Sequence, residues 1–170
     1  MMNHQLIIKE LERNLGIFEQ SLTGVSKEEY LWKQDPNRWC LLEIICHLYD
    51  EEIEDFRTRT SHVLFTPDKP FTPIDPVSWV DKRKYIKQEY DAVVSKFLEE
   101  RKSSLIWLHS LVKPKWNNSC MHVDFGLMTA QQFLANWLAH DYLHFKQISK
   151  LKMDYLSYIS KENFSYSRGW

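Results

Sequence analysis

Glycine is scarce in this chain. Four glycines in 170 residues, with few stretches of apolar–polar alternation, leave little material for β-turns and bulges and favour an all-α fold. Long apolar runs are missing too. No segment approaches the ~20 residues that a membrane-spanning helix needs. The N-terminal MMNHQLIIKELERN is charged within its first helical turns, unlike a secretory leader. Neither sign of charge dominates: 22 Lys and Arg face 23 Asp and Glu, for a net charge of −1. With no strongly basic segment, neither nucleic acid nor an anionic membrane is an expected partner. Cysteine is limited to Cys40, Cys46 and Cys120, an odd number with no CxxC pair. They read as reduced thiols of a cytoplasmic protein. What is plentiful is apolar: 44% of residues are hydrophobic and 14% aromatic, enough to build one core in a single domain over residues 1–170.

The stretch around which the rest is organised is TAQQFLANWLAHDYLHFKQISKLK, residues 129–152. It has no Pro and no Gly and predicts a helix of about six turns. Thr129 with Gln132 three residues on reads as a capping box that fixes its start. One stripe runs Phe133, Trp137, His140, His144, Ile148, Leu151, the spacing of a core-facing helix surface. Two imidazoles therefore lie one turn apart on a buried face, roughly 6 Å apart at Cβ. That suits two nitrogens binding one metal ion; the alternative is a pair of hydrogen-bonded core histidines.

The remaining elements follow in order. A first helix covers residues 4–23, with Leu6, Ile7, Leu11, Leu15, Phe18 and Leu22 in helical period and Gly24 as its stop. Residues 25–38 connect, with a short capped turn at SKEE. A second helix is expected from Trp39 to Ser61. Leu41, Ile44, Ile45, Leu48, Glu52 and Phe56 form its stripe, and His47 lies on the flank. Prolines then fall at 67, 70, 73 and 76, the period of a polyproline-II segment. A stiff crossover fits better than a recognition peptide. Fourteen residues at ~3.1 Å each span about 43 Å, longer than the ~35 Å second helix. The crossover can therefore return along the bundle and leave the second and third helices parallel. A third helix is expected over 78–112, with Tyr85, Ile86, Tyr90, Val93, Val94, Phe97, Leu98, Ile106, Leu108 and Leu111 on its apolar face and Pro114 beyond its end. Residues 115–128, with Trp116, His122 and Gly126, connect to the histidine helix, and a Tyr-, Ser- and Lys-rich tail follows.

If the second and fourth helices are antiparallel neighbours, His47 comes level with His140 and His144 at ~12–18 Å along each. Three neutral imidazoles suit zinc, nickel, copper or ferrous iron and leave a coordination position open. Glu51, Asn136 and Gln147 are candidates to orient the rings. A zinc-protease motif is absent, since HDYLH carries Asp141 where HExxH needs Glu. The Glu-x-x-His pairs of di-iron bundles are absent as well.

Trp39, Glu43, His47 and the run Asp50-Glu51-Glu52 resemble the second-helix motif of the DinB-like superfamily. His140-Asp141-x-x-His144-x-x-Gln147-Ile148 resembles its fourth-helix motif. The resemblance spans nearly the whole chain. It implies a four-helix bundle of up-down-down-up topology with the long Pro-rich crossover between helices 2 and 3. It also implies a homodimer and a divalent metal (zinc, nickel or iron) on His47, His140 and His144. Relatives include S-transferases and isomerases that use low-molecular-weight thiols such as bacillithiol or mycothiol, so a small-molecule substrate and a thiol are expected partners. Arg38 is a cation that could meet an anionic thiol. A non-catalytic metal- or ligand-binding bundle is the alternative. Cys40 departs from the pattern, since relatives often cap this helix with Ser.

Overall fold

The computed structural model describes residues 4–168. Its helices are α1 (His4–Leu22), a short α2 (Lys27–Leu31), α3 (Leu41–Glu51), α4 (Thr58–Phe65), α5 (Pro76–Lys82), α6 (Tyr90–Ser110) and α7 (Ala130–Ser160). A widened π turn, Glu52–Arg57, joins α3 to α4, so the two form one continuous rod from Leu41 to Phe65. That rod starts two residues later than expected and ends four residues beyond Ser61. Its N-cap is Cys40, and the Glu43 carboxylate accepts the Cys40 backbone N–H at 2.9 Å. The acidic half of a capping box thus compensates for the missing hydroxyl.

Helix directions follow from which residues meet. Tyr90 Oη donates to the Leu22 carbonyl and Phe18 packs on Phe97, so α1 and α6 are antiparallel. Asn14 meets Asp141 and Phe18 meets Phe145, so α1 and α7 are parallel. Tyr85 bonds Asp50 while Arg57 reaches Ser104, so the α3–α4 rod and α6 are parallel. His47 lies beside His144 while Glu52 meets Trp137, so the same rod and α7 are antiparallel. The result is an up-down-down-up bundle. The crossover that permits it has no helix or strand between Thr66 and Asp75 and pins itself to the core through Phe71 and Ile74.

The expected third helix is not continuous. Pro76 opens α5, whose N-cap Asp75 accepts the Ser78 N–H, as a proline in the first turn allows. Lys84 then adopts a left-handed conformation at φ 50°, which an α-helix cannot accommodate. A 3₁₀ turn at Tyr85–Lys87 leads into α6. The break turns Tyr85 inward, to 2% exposure, and leaves Ile86 outside. Ile106, also assigned to the apolar face, is exposed. The second connector is not plain loop either. Ser119–His122 and Gly126–Thr129 pair as an antiparallel hairpin, β1 and β2, with Gly126 at φ 70° in the turn where a side chain would be strained.

Helix α7 begins where the capping box places it. Gln132 N–H donates to Thr129 Oγ1 at 3.3 Å and Thr129 N–H to Gln132 Oε1 at 2.7 Å. It runs eight residues past Lys152, to Ser160. This extension lies along the α2 region, where Trp32 meets Tyr155 and Tyr158 and Lys152 pairs with Glu29. The tail as far as Ser160 is therefore helix packed on its own chain. No helix among the described residues is long and apolar enough to cross a membrane.

Candidate metal centre

His47 from α3 and His140 and His144 from α7 meet inside the bundle. Their ring centroids are 5.5 Å (47–140), 5.1 Å (47–144) and 4.3 Å (140–144) apart. His140 Nε2 and His144 Nε2 are 3.1 Å apart. One ligand-capable atom from each residue lies within 4.8 Å of the other two. A tetrahedral ion with bonds of ~2.1 Å spaces its ligand nitrogens about 3.4 Å apart, so the cluster is close to a coordination shell.

The surroundings keep the rings neutral. Burial is the main cause that lowers His47 to about 3, aided by His144. Burial likewise lowers His140 to about 2, with His144, His47 and Arg101 adding to it. His144 is lowered by burial, opposed by neighbouring Gln147 and Asp141. Neutral imidazole is the form that binds metal. His47 Nδ1 and His144 Nδ1 are both buried without a hydrogen-bond partner. Each such atom costs roughly 1–3 kcal/mol. The facing nitrogens, among them His140 Nε2 and His144 Nε2, offer lone pairs to a shared cation, so the residues present fit a divalent ion.

The three residues expected to orient the rings differ in what they do. Glu51 Oε1 lies 4.0 Å from His47 Nδ1, too far for a hydrogen bond. Its carboxyl is pushed up, first by burial and then by the charge of Asp55 and a hydrogen bond to it. Gln147 neighbours His144, but no hydrogen bond closes on His144 Nδ1. Asn136 is exposed and donates to the Gln132 carbonyl of its own helix.

Beneath the rings lies a buried polar network that sequence reasoning did not anticipate. Arg101 of α6 is 2% exposed. Its two Nη groups donate to the Asp141 oxygens at 2.7 Å each, and its Nε donates to Glu52 at 3.0 Å. Asn14 of α1 donates to Asp141, and the Trp137 indole N–H donates to Glu52. Asp141 stands between the two α7 histidines, so the network fixes the segment that carries them. All four long rods contribute. The available signal was a single arginine at helical spacing from Phe97, Leu98, Leu105 and Leu108, on an otherwise apolar stripe.

Two clefts border the triad. One is lined by Arg38, Trp39, Gln147 and Lys150 among others; the Trp39 ring is 5.0 Å from that of His47. The other, of about 420 Å³, reaches from His140 to the hairpin and includes Asp55, Arg59, His122 and Phe125. The Phe56 ring, 4.8 Å from the His140 ring, forms part of its wall.

Comparison with known proteins agrees with this architecture. None of the curated protein sequences matches the chain. Among solved structures, YfiT from Bacillus subtilis superimposes with a TM-score of 0.77 at 16% identity, covering 88% of this chain and 86% of that one. That protein is described as "a probable metal-dependent hydrolase with an unusual four-helix bundle topology"; at this identity the likeness shows the fold. The DinB superfamily model matches residues 10–148, which include all three histidines, and the chain belongs to the DinB superfamily.

Proposed function

We propose that the protein is a divalent-metal-dependent enzyme acting on small molecules, with His47, His140 and His144 as the metal ligands and a low-molecular-weight thiol as nucleophile. One observation carries the reading: three neutral imidazoles, two buried and one half-buried, each bring a ligand-capable nitrogen within 4.8 Å of the other two. When bound, a divalent ion supplies Lewis acidity that lowers the pKa of a water or thiol, so that its anion is available near neutral pH. The chain does the rest. Trp39 and Phe56 wall the rings with apolar surface and limit water. Arg38 gives the first cleft a cation suited to a carboxylate of an anionic thiol, while Lys150 beside it is paired with Asp154. The second cleft leaves room for the molecule attacked. A hydrolase, as YfiT is described, would use the same ion with water as nucleophile. The reading also takes the protein to be a cytoplasmic homodimer, a state light scattering measures directly.

Elemental analysis of wild type beside His144→Ala tests the ligands, with about one ion per chain expected in the first and none in the second. Chromogenic electrophiles with and without bacillithiol or mycothiol test the reaction. Thiol-dependent conjugation that disappears in His144→Ala is expected. Thiol-independent ester cleavage would favour water. A metal-loaded protein inert in both assays would leave a binding protein rather than an enzyme.

A further inference from the structure

We propose that the cleft between His140 and the hairpin is a binding subsite for a small molecule with an apolar, ring-sized body and an anionic head, the head gripped by Arg59. This deepens the reading above by naming the class of second substrate, and rests on it only for the role of His140.

The argument starts from Arg59. It lines the cleft and is 8% exposed. Its Nε lies 2.8 Å from Asp55 Oδ1 as an ion pair. Yet that Nε lacks a properly directed hydrogen bond despite the short contact. A guanidinium carries five N–H donors in a planar fork, and buried donors are almost always satisfied. The Phe71 ring covers one face of the plane, 4.9 Å from Cζ, a cation–π contact that leaves the in-plane edge for a partner. The partner that matches this edge is a carboxylate or a similar oxyanion, bound through two parallel hydrogen bonds.

The rest of the cleft selects the body. Phe56, Phe125, Met128, Phe133 and Leu143 line it, and its volume of about 420 Å³ lies in the range of small-molecule sites. Phe125, at the hairpin turn, is 74% exposed, an apolar side chain at the rim with little to cover it. The same cleft includes His140. A bound molecule therefore has its head at Arg59, its body against the phenyl rings, and part of itself beside the triad.

The test uses three probes of one shape: 4-phenylbutyrate, 4-phenylbutan-1-ol and 4-phenylbutylamine. Each is titrated by calorimetry and amide chemical shifts into the purified full chain, before and after EDTA treatment. The acid is expected to bind about tenfold or more tightly than the alcohol, as a charge-assisted pair predicts, and the amine least. Shifts are expected at Phe125, Met128 and Ala139. Arg59→Gln should bring the acid down to the alcohol without moving the alcohol, and Phe125→Ala should weaken both. Equal affinity of acid and alcohol, shifts elsewhere, or a preference that survives Arg59→Gln would overturn the assignment. A preference present before EDTA and absent after would also overturn it, because the carboxylate would then be reading the ion. Should Arg59→Gln fail to fold, the wild-type preference, the shift map and Phe125→Ala decide the matter. Metal content of His144→Ala is a separate measurement, so failure of the ion and failure of the subsite are told apart.

Discussion

The side chains of the triad store a dependence on acidity. In the folded, metal-free protein His47 and His140 sit at about 3 and about 2, whereas an unfolded histidine titrates near ~6.5. Below that value the unfolded chain binds more protons than the folded one, so stability falls as pH falls, by at most ~1.4 kcal/mol per pH unit for each ring. Glu51, raised to about 8 by the same burial, works in the opposite sense over this range, so the share of the rings is read as a difference. Urea melts in EDTA from pH 7 to pH 4 should lose more stability per pH unit in wild type than in His140→Gln, and equal slopes would contradict the burial argument. Thiol chemistry gives a second check. Burial pushes Cys46 up to about 12 and Cys40 up to about 11, and the thiolate is the reactive form. Iodoacetamide at pH 8 should leave both unlabelled until the protein is unfolded. His140 and His144 were legible because they share a stripe with Phe133 and Trp137, a pattern contained in one helix. Arg101 and Asn14 were not, since their partner Asp141 lies 40 and 127 residues away. No local period encodes such a distance.

At the scale of elements, the Arg101 network decides how the rods seat on one another. Arg101 is held raised by Asp141 and Glu52 against its own burial, so removing it strands two carboxylates in the core. Arg101→Met should cost about 3–5 kcal/mol, read as a lowered urea midpoint. Replacing Arg101, Glu52 and Asp141 together with apolar residues of similar volume should recover much of it. The hairpin offers a milder case: Gly126→Ala places a side chain at φ 70° and should cost roughly 1–2 kcal/mol. Four-residue strands with Met121 and Leu127 exposed gave no clean alternation, so the sequence showed only connector there. The break at Lys84 is silent in the sequence for a different reason. The apolar spacing carries on through Tyr85 and Tyr90, while a left-handed lysine has no compositional mark.

For the whole molecule, topology was the most readable property. A crossover long enough to retrace its helix made the parallel pair possible, and apolar stripes told the long rods apart. The same topology brings the two histidine-bearing segments together only on folding, so an ion that binds there would stabilise the native state by mass action. Chelation should lower the melting temperature of wild type and leave His144→Ala unmoved; an unchanged wild type would argue against a bound ion. One further consequence lies in Asp141, clamped from α6 and one residue after His140. The clamp sets the roll of α7 about its own axis. A roll of ten degrees would swing an imidazole tip by about 1 Å at that radius, while discrimination between ions rests on tenths of an ångström. The coordination geometry of any ion held by these rings would thus answer to a guanidinium that makes no hydrogen bond to them.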